Sequence, residues 1–466
     1  MDVGMKRGAL GSRPVAPSAV KWMVRTLEEA GYETWAVGGA VRDVFMGLES
    51  GDWDLATRAH PDEVRRLFRR TVPLGIEHGT VGVLDREGTL VEVTTFRRDV
   101  ETFGRHAVVE FADTLEEDLG RRDFTINAVA WHPLKEEIRD PFGGLDDLER
   151  GVLRTVGDPA ARFREDFLRV LRAIRFAGRF GLTVTAPTWE ALVGEVDHLS
   201  DLSPERVRDE LMKVLELDPV PSGALSLWAA SGALERVAPE LAAVGRLDGV
   251  QPGSPDAWVL SCIAVDALPP TRPLVRLGAL LQDVGRPPPG PPEPDLDDSG
   301  EASDRAALGH RRAAALLTRM RFSNAAIERV AGLVGGASAP PSTIDAPDLR
   351  RWLSRAGPEC VPDLVRIWGA RARVATALGS KRPDPDEVAR LGRRLRAELR
   401  SGAPIAVGDL ALDGRDLIRM GRKPGPLFGE ILHSLLERVL EEPELNRKDV
   451  LAEMVEREWP IAGTAP

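Results

Sequence analysis

Hydrophobic and polar positions change their rhythm once along this chain. From Tyr32 to about Trp131, short apolar runs predict strands at TWAV (34–37), WDLA (53–56), TVGVLD (80–85), TLVEVTTF (89–96) and INAVAW (126–131). One helical pattern, HPDEVRRLFRR (60–70), falls among them, and REG (86–88) reads as a hairpin turn. After Asp140 the strand pattern largely stops and amphipathic helices take over. In RFREDFLRVLRAIRFAGRF (162–180) the pattern predicts one helix with Phe167, Val170, Leu171 and Ile174 on its apolar face. Residues 1–20, rich in Pro, Gly and Ala, read as a frayed leader. The acidic, Pro-rich stretch 285–304 reads as an exposed, disordered loop, and SKRPDPDE (380–387) as a turn-rich break. The predicted architecture is a small α/β head on a long all-α remainder.

A length of 466 residues leaves room for several domains with cores of their own. With 43% hydrophobic and 29% charged residues, wholesale disorder is excluded. No apolar run approaches the ~18 residues of a membrane-crossing helix, so no membrane partner is expected. The first residues also lack the apolar core of a secretory signal. Cys262 and Cys360 form no disulfide framework, which fits a reducing cytoplasm. The net charge of −11 argues against a uniformly basic, nucleic-acid-coating surface. A local basic groove remains open: residues 160–180 hold six Arg against one Glu and one Asp.

Candidate chemistry begins at VGGAVRD (37–43), where Gly38 and Gly39 permit a sharp turn and a close backbone approach at a helix start that favours anions. Alone this is equally an ordinary glycine-rich β–α turn. GDWDLAT changes the picture. Asp52 and Asp54, two apart on a predicted strand, would project from one face, and such like charges are costly without a cation between them. Hard divalent ions accept carboxylate oxygens together with substrate phosphates, and a pair of them serves in-line displacement at phosphorus. Glu92, between Val91 and Val93 in an alternating strand, points away from the apolar face and supplies a third carboxylate.

Downstream, Asp166, Arg169, Arg172 and Arg175 recur every three residues and are expected on one helical side. On an arbitrary helix this is a solvated, salt-bridged face, with Glu165 paired to Arg169. Base chemistry suggests more. Cytosine and adenine each present an amino donor beside a ring-nitrogen acceptor, so a carboxylate and a guanidinium complement both. Guanine and uracil present the opposite order.

GGAVRDVFMG, DWDLAT, VEVTTFR, LEEDLGRRDFTINAVAW, DPFGGLDDL, REDFLRVLRAIRF and LSPERVRDEL, in order from about Gly31 to Leu215, resemble the class II tRNA nucleotidyltransferases. That family contains the bacterial CCA-adding enzymes and the bacterial poly(A) polymerases. The resemblance implies an α/β polymerase-β-like nucleotidyltransferase head followed by an all-α neck, body and tail. It places the head at 21–150, the neck with its templating helix at 151–220, the body at 221–380 and a tRNA-binding tail at 381–466. It implies catalytic Asp52, Asp54 and Glu92, the two aspartates holding two Mg²⁺ ions, and transfer of CMP and AMP from CTP and ATP to the tRNA 3′ end and acceptor arm. EDFLR matches the family's amino-acid template, with Asp166 and Arg169 reading the base and Glu165 holding Arg169. Arg172, Arg175, Gly38, Gly39 and Arg42 would contact the nucleotide, Arg122 the triphosphate, and Asp123 and Asn127 would shape the sugar pocket. LSPERVRDEL reads as scaffold, with Ser203 capping, Pro204 first and Arg206 third in a helix.

The segment between TTFR and RRDF (98–121) corresponds to a flexible loop that controls the change of base. It looks somewhat short here, which keeps CC-only or A-only addition open beside full CCA addition, with poly(A) synthesis a further alternative. LGALLQDVGRP and GHRRAAALLTRMRFSN resemble an HD phosphohydrolase region reduced to Asp283 and His310, so no such activity is expected. In the tail, Arg415, Arg419, Arg422 and Lys423 are candidates for phosphate contacts with tRNA, and equally a solvated charged loop.

Overall fold

The computed structural model describes residues 15–103, 106–245, 257–286, 298–341, 343–379 and 384–460. They form two compact units: residues up to Val214 with Gly223–Val237, and Leu215–Ser222 with the residues from Ala238 onward.

The first unit opens with α1 (Ser18–Glu29), β1 (Thr34–Val37), α2 (Gly39–Phe45), β2 (Asp54–Thr57) and α3 (Pro61–Leu67). Strands β3 (Thr71–Pro73), β4 (Thr80–Leu84) and β5 (Leu90–Thr95) follow, then β6 (Arg97–Phe103), β7 (His106–Phe111) and α4 (Leu115–Gly120). After β8 (Ala130–His132), β9 (Glu137–Arg139), α5 (Gly144–Arg150) and β10 (Val152–Leu153) come the helices α6 (Pro159–Glu165) and α7 (Leu168–Phe180). The unit closes with β11 (Thr183–Val184), α8 (Ala186–Gly194), α9 (Pro204–Leu217), α10 (Ser222–Ala230) and α11 (Ala233–Val237).

A seven-stranded sheet in the order β3-β4-β5-β2-β1-β8-β9 forms the head. Its strands alternate as the period-two pattern requires, but both faces are covered, so β1 is buried throughout. Ala36, Leu55, Val91 and Val93 pack on Val20, Met23, Leu27 and Val64 of α1 and α3. Trp35, Val37 and Ala56 face the other way, onto Leu115 and Leu119 of α4. The parallel pair β2–β5 aligns Asp54 with Glu92, and REG turns the antiparallel pair β4–β5.

Several expectations change. The leader gives way to helix at Ser18, because Ala16, Ala19 and Val20 are buried in the head core; residues 1–14 lie outside the described ones. INAVAW is only partly strand: Thr125–Asn127 is a 3-10 turn before β8. The expected loop at 98–121 is a β6–β7 hairpin and the capped helix α4, where Thr114 accepts from Glu117 N and Glu117 bonds back to Thr114 N. The single helix expected at 162–180 is two. Asp166 is extended at φ −156° and ψ 107°, and its Oδ1 accepts from Leu168 N at 3.1 Å. Phe167 therefore leaves the apolar face and stacks on His198 at 4.6 Å. Val170, Leu171, Ile174, Phe176 and Phe180 form the buried face of α7. Further along, Gly178 meets α10 so closely that a Cβ there would lie 2.4 Å from Ala224 N.

In the second unit no strand occurs among the described residues. Its helices are α12 (Pro239–Gly245), α13 (Ala257–Asp266), α14 (Pro273–Leu281), α15 (Asp298–Arg319), α16 (Asn324–Ser338), α17 (Ala346–Ala356), α18 (Val361–Ala377), α19 (Pro385–Ser401), α20 (Gly414–Arg419), α21 (Pro426–Glu441) and α22 (Lys448–Glu458). The loop expected at 285–304 becomes helix at Asp298, beyond its last proline, Pro294; residues 287–297 lie outside the described ones, as do 380–383 of the expected break. A separate core of Leu412, Leu417, Ile431, Leu435, Val439, Leu451 and Val455 holds the tail.

Candidate active site

The head's acidic centre is built where β1 hands over to α2. Gly38 has φ +78° and ψ −143°, a conformation that favours glycine. A Cβ there would meet Arg122 Nη1 at 3.1 Å and Asp54 Oδ2 at 3.2 Å, so both side chains would have to give way by a few tenths of an ångström. Gly38, Asp54 and Arg122 thus converge.

Asp54 opens β2 opposite Glu92. Burial and then the Glu92 carboxylate push its pKa up to about 6; Arg122 opposes this and Asp52 adds to it. Asp52 departs from expectation. It precedes β2 and is exposed, so only Asp54 is a strand residue, while the Asp52 charge still acts on it. Among the described residues, no group of three or more His, Cys, Asp or Glu side chains is arranged to hold a metal ion. The donor chemistry nonetheless suits a hard cation: the carboxylates interact electrostatically, and burial and then the Glu92 charge raise the proton affinity of Asp54. Beside them, Arg122 Nε is buried without a hydrogen-bond partner.

The segment 121–127 carries this centre across to α7. Asp118, buried in α4, accepts from Arg121 Nε at 3.0 Å and from Arg122 Nη2 at 3.1 Å. Asp123 accepts from Asn127 Nδ2 at 2.9 Å, from Phe124 N at 2.8 Å and from Arg172 Nε at 2.8 Å. Burial would raise the Asp123 pKa, but Arg172 and these donors outweigh it and hold it at about 2. Arg42 is buried, donates to Asn127 Oδ1 at 2.6 Å, and lies over Phe176 and Phe180 at 4.9 and 4.6 Å from the ring centroids. Its guanidinium holds Asn127 and α7. DPFGG supports the same segment from behind: Asp140 accepts from Gly144 N and Leu145 N, and Asp147 accepts from Thr125 Oγ1 at 2.5 Å.

On α7 the arginines are engaged. Arg169 pairs with Glu165 and donates to Arg162 O at 2.9 Å. Arg175 is buried and donates to Glu210 at 2.6 Å. Asp166, at the break, is gripped by Arg206 at 2.7 Å. Asp118, Glu210 and Arg206 were not among the expected site residues. Asp118 stands four residues before Arg122, a spacing that could have flagged it. The two α9 residues act on partners 35 and 40 positions away, with no local signal.

Family models match three parts of the chain: the poly A polymerase head domain at 34–154, a probable RNA and SrmB-binding site of polymerase A at 181–244, and tRNA nucleotidyltransferase domain 2 at 404–455. A CCA-adding enzyme of Anoxybacillus flavithermus is 46% identical over 207 residues, 44% of this chain and 51% of the relative. In such matches the chain spans about half the length of the relative. A CCA-adding enzyme of Limosilactobacillus fermentum is 34% identical over 421 residues, covering 89% of this chain and 90% of the relative. This chain belongs to the CCA-adding enzyme family. A crystal structure of the Bacillus stearothermophilus CCA-adding enzyme in complex with CTP matches with a TM-score of 0.65 at 28% identity, over 94% of this chain and 96% of that one.

In this member of the CCA-adding family, Asp283 is bound by Arg286 at 2.8 Å and by Arg371, and it lines a cavity of about 670 Å³ in the second unit, while His310 is exposed. In the tail, Arg415, Arg419 and Lys423 are exposed, and Arg422 donates to Val455 O at 2.8 Å. Among the described residues no helix is long and apolar enough to cross a membrane.

Proposed function

We propose that this protein is a template-independent RNA nucleotidyltransferase of the cytoplasm that adds CMP and AMP, from CTP and ATP, to the 3′ end of tRNA with release of diphosphate. One observation carries the reading. The segment 121–127 sets Arg122 beside Asp54 and Asp123 against Arg172 of α7, an arrangement that supports reading the two as halves of one polymerising site.

Asp52 and Asp54 would hold two Mg²⁺ ions, with Glu92 beside them; bound there, the ions would neutralise the triphosphate and favour ionisation of the RNA 3′-hydroxyl. The chain's own groups do the rest. Gly38 leaves open the space against Asp54 that any side chain would fill. Arg122 offers its unpartnered Nε–H to the phosphates, where negative charge develops as the Pα–O–Pβ bond breaks. Asp123, Asn127 and Arg42 form a braced wall for the sugar. At the α6–α7 break, Asp166 accepts from the base amino group and Arg169, steadied by Glu165, donates to the ring nitrogen. The RNA 3′-oxygen displaces diphosphate in line, with no covalent enzyme intermediate. Exposed Arg415, Arg419 and Lys423 offer phosphate contacts to the tRNA.

The test supplies the purified protein with a tRNA lacking its 3′ CCA, CTP and ATP with Mg²⁺, and sequences the products. Termini in CCA are expected. Termini that stop at CC with ample ATP present would restrict the reading to CC addition. AMP added to unrelated RNA ends would replace it with poly(A) synthesis.

A further inference from the structure

The break between α6 and α7 leaves Asp166 on extended backbone, off the end of the helix that carries the reading arginines. A short side chain in that position moves among rotamers unless something grips it. Two groups do. Leu168 N donates to Oδ1 at 3.1 Å and Arg206 Nη2 donates to Oδ2 at 2.7 Å. Arg206 stands third in α9, behind Pro204, and one turn before Glu210. Glu210 accepts from Arg175 Nε at 2.6 Å and from Lys213 Nζ at 3.0 Å. One side of α9 therefore meets the reading strip twice, with a positive charge for Asp166 and a negative one for Arg175.

We propose that Arg206 is a positioning residue for base selection, holding the Asp166 carboxylate in a single orientation. This rests on the reading of Asp166 and Arg169 as the base-reading pair. With one bond to each oxygen, the carboxylate keeps a free lone pair on each, and its side chain is 24% exposed, so an edge stays available. Held this way it accepts a hydrogen from the amino group of cytosine or adenine and repels the carbonyl of uracil or guanine. An aspartate free to rotate withdraws from that carbonyl. That release admits the wrong bases while leaving cytosine and adenine tolerated. Arginine suits the task because its planar guanidinium fixes the direction of the bond as well as its charge.

The experiment measures kcat/KM for CTP and for UTP on a tRNA ending before its first C, with wild type, Arg206→Met, Arg206→Lys and the control Arg208→Met. Arg208 is on the same helix and pairs with its neighbour Asp209. Arg206→Met is expected to lower the CTP-over-UTP ratio about tenfold or more, with KM for CTP rising more than kcat falls. Arg206→Lys should recover part of the ratio, and Arg208→Met should keep all of it. In an Asp166→Asn background, Arg206→Met should cost nothing further, because the two act as one unit. An unchanged ratio in Arg206→Met overturns the proposal, and so does an equal fall in Arg208→Met. Should Arg206→Met fail to fold, Arg206→Lys decides: a wild-type ratio together with additivity against Asp166→Asn overturns it. A wild-type protein that incorporates neither CMP nor AMP refutes the functional reading itself. A selective wild type beside an equally selective Arg206→Met refutes only the role of Arg206.

Discussion

Replacing Asp54 by asparagine is expected to make the metal-free protein more stable while abolishing incorporation. The carboxyl of Asp54 loses its proton near the ordinary value, 3.8, when the chain is unfolded and at about 6 when it is folded. Between those values the folded state binds the more protons, so stability falls as pH rises from about 4 to about 6 and stays at the lower level above. A displacement of about two units corresponds to at most roughly 3 kcal/mol; partial exposure of the side chain reduces this to about 1–2 kcal/mol. A neutral amide in place of the carboxylate carries no such penalty and keeps the shape that fits against Gly38. Urea unfolding of both proteins in chelator should show the variant ahead at pH 7.5 and level with wild type near pH 4. Adding Mg²⁺ should reverse the order, because only wild type keeps the carboxylate that would hold the ion. An Asp54→Asn variant that is less stable at pH 7.5 in chelator, or a gain that does not change with pH, would refute the account of Asp54 as a carboxylate held against its neighbours.

Two further outcomes follow from the same centre. Gly38→Ala places a methyl against Arg122 and Asp54 at a φ of +78°, and should lose tenfold or more in incorporation and about 1–2 kcal/mol of stability, read by single-turnover assay and urea titration. Asp123→Asn should cost about 2 kcal/mol at pH 7, because Asp123 holds its charge down to about pH 2; that contribution is present above pH 4 and fades as pH falls, so the variant's deficit narrows on the acid side in pH-dependent unfolding.

Much of this molecule was legible in its residues, and the failures have physical causes. The strands that carry Asp54 and Glu92 announce themselves by alternation, and glycines beside an acidic pair mark the centre. Their sheet order is a matter of pairing between distant segments, which alternation does not encode. The break at Asp166 was hidden because nothing between Arg162 and Phe180 forbids a helix before Gly178. The cost of Asp inside a helix is small, and tertiary bonds decide the outcome. Arg162 fastens α6 to the carbonyls of Gly120, Arg121 and Val156 at 2.9–3.1 Å, while Arg206 pulls Asp166 outward. Asp52 looked like a strand residue because it lies two before Asp54, yet β2 begins only at Asp54. LSPERVRDEL read as scaffold because the carboxylate that Arg206 holds lies forty residues away, in the link between two other helices.

The contact between Gly178 and Ala224 has a bearing on how one pocket accommodates bases of different size. With room for only a hydrogen between them, the far end of α7 is held fast against α10, so on the proposed function it would not shift if a two-ring base followed a one-ring base. At the other end the helix is set by bonds between side chains, with Arg206 on Asp166 and Glu165 on Arg169, so the two ends are held by different means.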